Sequence, residues 1–161
     1  MSAFFLSALL LSVAAYIHTR SEDPVMRPAH PIADLFATMP YEMPALLFHD
    51  AAAGAAMLTA GRNVTDPNFL QTYLVTNARQ LGMAGRLLFP IPERGLQPRM
   101  YRITAKTVVI WGDSDRLIPP VYAHGFKKGI TGSELVSIPE AGHMVTLERP
   151  ALVADAIRRL G

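Results

Sequence analysis

Two side chains in this 161-residue chain have the types and the settings of a working acid and base. Asp115 lies in Thr107-Val108-Val109-Ile110-Trp111-Gly112-Asp113-Ser114-Asp115-Arg116-Leu117-Ile118-Pro119, and His143 lies in Pro139-Glu140-Ala141-Gly142-His143-Met144. Each follows an apolar, β-branched run, the setting of a loop at the carboxyl end of a parallel strand, where open α/β sheets gather their chemistry. A carboxylate that orients an imidazole prepares it to take a proton from a hydroxyl nucleophile or from water. Such a pair does hydrolytic or acyl-transfer work only on a nucleophile, and no nucleophile motif precedes it in this sequence.

The remaining titratable residues carry less. Asp113 and Asp115 together imitate the D-x-D of haloacid-dehalogenase-like phosphatases, but Leu117 stands where that pattern wants Thr or Val, so Asp113 reads as a solvated turn carboxylate. His18, His30, His49 and His124 lack the context of His143 and fit no metal-ligand spacing; no metal and no cofactor are expected. The absence of cysteine removes thiol nucleophiles, disulfides and thiolate metal sites, and fits a reducing compartment. Fifteen Lys and Arg against 13 Asp and Glu leave a formal charge of +2, which makes no electrostatic case for nucleic acid. The basic stretch from Arg79 through Arg86, Arg94, Arg99 and Arg102 to Lys106 reads as solvated helix and loop faces.

Composition divides the elements that must position the pair into three regions: an apolar N-terminal segment over 1–20, a helical cap or lid over 21–98, and an α/β portion over 99–161. The apolar run from Ala3 to Ile17 is shorter than the roughly 20 residues that span a bilayer, and no Lys or Arg precedes it. It reads as a helix packed on the protein or on a partner, as an anchor or signal with a small-x-small site at Ser12-Val13-Ala14, or as a stretch outside the natural gene product. The expected location is cytoplasmic, with membrane association or export through this segment as the alternative.

From Pro31 to about Gly82 the apolar residues recur at helical spacing, broken at Pro40 and Pro44. Ala51 to Ala60 reads as an alanine-rich helix despite Gly54, with Gly61 suited to its end, and Asp66-Pro67 supplies the N-cap and first residue of the next. Met39, Met43, Met57 and Met83 read as gap fillers between imperfectly packed helices. After a Pro-, Gly- and Arg-rich link over Leu87 to Pro98 the periodicity changes: strand at Val108 to Trp111, helix at Tyr122 to Lys128, strand at Leu135 to Ile138, helix at Ala151 to Leu160. That order implies two parallel strands joined by a right-handed crossover. Two parallel strands leave edges unpaired, so the rest of the sheet is expected elsewhere.

At these residues the chain resembles the C-terminal part of the α/β-hydrolase fold family. Arg102 to Pro119 is similar to the family's penultimate strand and acid turn, which makes Asp115, three residues after Gly112, the triad acid. Ile138 to Met144, followed by Leu147-Glu148-Arg149-Pro150, is similar to the last strand, the catalytic-histidine turn and the start of the terminal helix, which makes His143 the catalytic histidine. Acid before histidine is the chain order of this fold. Pro31 to Asp50, with Pro-Ile-Ala-Asp-Leu-Phe and Leu-Leu-Phe-His-Asp, is similar to the cap of one branch of the family. The resemblance implies a partial α/β-hydrolase fold, a helical cap followed by two parallel strands with alternating helices.

The departures from the family matter equally. The nucleophile elbow G-x-S-x-G, or its Asp equivalent, and the oxyanion-hole loop are absent; Gly112-Asp113-Ser114 is followed by Asp115, Arg116 and Pro119-Pro120, which leaves Ser114 a turn residue. Val145 stands where the family often has proline, a change that bears on the shape of the histidine loop. The implied function is hydrolysis of esters, C–C bonds, epoxides or halides, with a small-molecule substrate once the full fold is restored and no activity of this polypeptide by itself. The alternative is a non-catalytic remnant, or a protein-binding partner that self-associates through the exposed sheet edge.

Overall fold

Proline and β-branched residues set the outline of the chain. The computed structural model describes residues 38–63, 65–88 and 97–160. The apolar segment 1–20, the expected helical start at Pro31 and most of the 87–98 link lie outside them.

Helix α1 (Met43–Leu47) is a single short piece with Pro44 in its first turn, where a missing N–H costs nothing, and it ends at extended Phe48. Asp50 then caps α2 (Ala51–Thr59) by accepting the amides of Ala52 and Ala53 at 2.9 and 3.1 Å. Left-handed Ala60 (φ 53°) and Gly61 (φ 70°) close it, in the way the sequence suggested. Gly54 faces Phe48, whose ring carbons would lie 2.5 Å from an added Cβ. The glycine that weakens this helix by propensity is therefore the one that lets it close on Phe48, which is 1% exposed. Helix α3 (Pro67–Leu88) begins as expected, with Asp66 accepting the amide of Asn68 at 3.0 Å. It runs six residues past Gly82, because no proline follows Pro67 before Pro90 and interior glycines cost a helix only about 1 kcal/mol each. No helix among the described residues is long and apolar enough to cross a membrane.

A 3₁₀ turn (Gln97–Arg102) leads into β1 (Val108–Gly112), α4 (Val121–Gly129), β2 (Glu134–Ile138), α5 (Val145–Glu148) and α6 (Pro150–Arg158). The architecture is α/β: β1 and β2 pair in parallel, with Val108 opposite Glu134 and Gly112 opposite Ile138. β1 is half-buried up to its buried last residue, and β2 mixes exposed Glu134 and Ser137 with half-buried Leu135 and Val136 before buried Ile138; among the described residues the two strands pair only with each other. Helices α4 and α6 pack on both strands. The core under α4 joins Met100, Leu117, Ile118, Tyr122, Phe126 and Ile130, with Trp111 stacked obliquely on Phe126 at 6.0 Å between ring centroids. One expected terminal helix is two: Val145–Glu148 forms a turn of its own, and Pro150 restarts the chain as α6 because a proline has no amide to continue the earlier ladder. Val145, in the place of the family's proline, is the first residue of that turn, and its carbonyl accepts the amide of Arg149 at 2.9 Å.

Candidate active site

The parallel register brings the ends of β1 and β2 side by side, Gly112 against Ile138, so the loops that follow leave the same edge of the sheet. The two turns are then tied backbone to backbone. Asp113 donates its amide to the Ile138 carbonyl at 3.0 Å and Ser114 donates to the Ala141 carbonyl at 2.9 Å. Gly112 has the carbonyls of Ala141 and Gly142 directly against the position a Cβ would take. Only a residue without a side chain permits that approach.

Asp115 is buried at 7% exposure, and both of its oxygens are engaged. Oδ1 accepts the amides of Leu117 and Ile118 at 3.0 and 2.8 Å. Oδ2 lies 3.0 Å from Nδ1 of His143, whose side chain is 20% exposed. Burial without a partner would be costly for a carboxylate; two amides and an imidazole replace the water it gives up. The arrangement fixes the tautomer that a base needs: an Nδ1–H donating to Asp115 leaves Nε2 as the acceptor. The structure thus brings together the two residues singled out in the sequence. Asp113 stays exposed at the turn, where its carboxylate accepts the Ser137 hydroxyl.

The approach to His143 is held from several sides. Glu140 sits in the left-handed region at φ 50°, and its carboxylate pairs with Arg149 at 2.7 Å. Non-glycine residues adopt that conformation at a cost of order 1–3 kcal/mol when neighbours over-determine it. Met144 donates its amide to the Leu47 carbonyl at 3.1 Å, while the Glu148 carboxylate accepts the amides of Gly142 and His49 at 2.6 and 2.7 Å. The Arg116 guanidinium reaches the Ala45 carbonyl at 2.7 Å. His49, which had no context in the sequence, has its Nδ1 2.8 Å from the Ser114 hydroxyl. Sequence reading missed the parts played by Glu148, Arg116 and His49, since each acts on a segment distant along the chain. The signal available was the adjacency of Glu148 to the histidine turn. Among the described residues no group of three or more His, Cys, Asp or Glu is placed to hold a metal ion.

Comparison with known proteins bears on what such a pair belongs to. The sequence model of the alpha/beta hydrolase family matches residues 2–156. A proline iminopeptidase of Pestalotiopsis fici is 41% identical over 59 residues, 37% of this chain and 21% of that protein. A 2-hydroxy-6-oxononadienedioate/2-hydroxy-6-oxononatrienedioate hydrolase of Comamonas testosteroni is 31% identical over 97 residues, 59% of this chain and 29% of that protein. The chain therefore spans less than a third of the length of the curated relatives it matches. The crystal structure of a meta-cleavage product hydrolase from Pseudomonas fluorescens IP01 superposes with a TM-score of 0.50 at 13% identity, covering 81% of this chain and 50% of that one, a likeness of fold.

Proposed function

The chain belongs to the alpha/beta hydrolase family, and from that premise we propose that Asp115 and His143 are the acid and the general base of a hydrolytic site. The observation that carries this reading is the 3.0 Å contact between His143 Nδ1 and an Asp115 carboxylate whose other oxygen is pinned by two amides. In this mechanism Nε2 of His143 takes the proton of an attacking hydroxyl or water as the new bond to the substrate carbon forms. It then returns that proton to the leaving group, and Asp115 stabilises the imidazolium in between. The substrate is a small molecule with a hydrolysable ester, C–C, epoxide or halide bond. Helices α1 to α3 serve as a cap over it, a role supported by the docking of residues 45–49 on both site turns.

A nucleophile elbow and an oxyanion hole are needed to complete the site, and the sequence contains no G-x-S-x-G. One oxyanion donor is worth roughly 10²–10³ in rate. This polypeptide by itself is therefore expected to hydrolyse p-nitrophenyl esters no faster than free imidazole, and to resist labelling by a fluorophosphonate. Serine labelling that His143→Ala abolishes would overturn the fragment reading. Joined to the nucleophile-bearing amino-terminal half of a relative, the chain is expected to gain ester hydrolysis that falls by about 10²–10⁴ in His143→Ala. Activity indifferent to His143 and Asp115 would sink the proposal. A second reading, a non-catalytic remnant or binding partner, is favoured by one observation: among the described residues β1 and β2 pair only with each other, leaving outer edges for a partner strand.

A further inference from the structure

Glu148 stands beside the Asp115–His143 pair without being part of it. Its Oε2 accepts the amide of Gly142, the residue before His143, at 2.6 Å, and its Oε1 accepts the amide of His49 at 2.7 Å. One carboxylate thus joins two amides that lie side by side in space but far apart in the chain. Hydrogen bonds to an ionised acceptor are shorter and about twice as strong as neutral ones. The backbone geometry around it agrees. A Cβ on Gly142 would sit 2.8 Å from the Leu47 carbonyl oxygen and 2.9 Å from the His49 nitrogen, so the two segments touch main chain to main chain. Met144 adds a direct amide bond to Leu47 at 3.1 Å, and the Glu148 amide itself closes on the Met144 carbonyl at 3.1 Å. Residues 142–148, His143 among them, are therefore closed on themselves by the Glu148 carboxylate, and the 47–49 segment lies directly against them.

We propose that Glu148 is a positioning residue: its carboxylate clamps the His143 turn to the 47–49 segment and thereby aims the imidazole at Asp115. The role rests on the acid–base reading of Asp115 and His143 given above. Glu140 does not do the same job, because it pairs with Arg149 through an exposed side chain and reaches neither amide. A carboxylate is required, since both of its contacts are donors and a Gln in its place presents one oxygen and one N–H to two N–H groups.

Nuclear magnetic resonance on the full chain tests the clamp without relying on any variant. Long-range correlations through hydrogen bonds are expected from the Gly142 and His49 amide nitrogens to a single carboxylate carbon, that of Glu148; their absence overturns the proposal even if Glu148→Gln fails to fold. In a folded Glu148→Gln chain, hydrogen exchange at one or both of these amides is expected to speed up tenfold or more. The slowly exchanging His143 Nδ1–H resonance is expected to be lost. Faster exchange with that imidazole signal intact would make Glu148 a structural tie only, and overturn its positioning role. An imidazole signal already missing from the wild-type chain would instead sink the Asp115–His143 reading on which the role rests.

Discussion

Asp115 holds its place through bonds that have nothing to do with a substrate. Its Oδ1 satisfies two amides of the turn it belongs to, which leaves Oδ2 as the only oxygen aimed at His143. Removing the carboxylate strands those amides in a buried turn, at roughly 1–3 kcal/mol for an unsatisfied donor. Asp115→Ala is therefore expected to lower unfolding stability by about 2–4 kcal/mol in denaturant titration, and Asp115→Asn, which keeps one acceptor oxygen, by less. A neutral result for Asp115→Ala would mean that the turn is not held this way. Tyr122, fully buried in the core under α4, gives a second test at this scale. Burial pushes its phenol up from 10.0 to about 12, because the interior disfavours the phenolate. Between those values the unfolded chain has lost the proton while the folded chain keeps it, so stability is present below pH 10 and falls as the pH rises toward 12. Denaturant midpoints measured across that window should decline, and Tyr122→Phe should flatten part of the decline.

Among the elements, α2 shows packing overruling propensity. Alanine is normally better than glycine inside a helix by about 1 kcal/mol. At position 54 the sign should reverse, since the new methyl meets the Phe48 ring at 2.5 Å and Phe48 has no exposed side to move toward. Gly54→Ala is expected to destabilise the chain by on the order of 1 kcal/mol in thermal melts, whereas Ala53→Gly, on the exposed face, should cost only its propensity. A rise in melting temperature for Gly54→Ala would remove Phe48 from its assigned place against α2. Phe48 matters beyond that helix, because its carbonyl and its neighbours Leu47 and His49 are the main-chain surface against which the His143 turn rests.

For the whole molecule, the described surface leaves apolar groups without cover. Leu70, Leu74, Val75 and Met83 of α3 are 39–59% exposed, and the two-stranded sheet pairs only within itself. Such surfaces and edges favour association. The isolated chain is expected to sediment as dimers or larger species, shifting toward smaller ones on dilution. A clean monomer with a single cooperative melt in calorimetry would count against this expectation.

The pattern of β-branched runs, glycines and a late proline was enough by itself to determine the α/β class, the parallel pair and the order acid then histidine, because period and turn chemistry are local properties of the sequence. Asp66 announced its helix for the same reason, whereas the capping by Asp50 emerged only in the structure. The sequence misjudged the end of α3 by six residues, nearly two turns, and the unity of the last helix by the single turn Val145–Glu148, both at places where a lone glycine or proline competes with its neighbours. Only the tertiary structure decided that Asp115 and His143 meet at 3.0 Å, that Gly54 exists for Phe48, and that Glu148 ties the histidine turn to residues 47–49. Those contacts join residues from separate elements, and no spacing along a chain encodes which carbonyl or amide a folded loop will bring within 3 Å of a carboxylate.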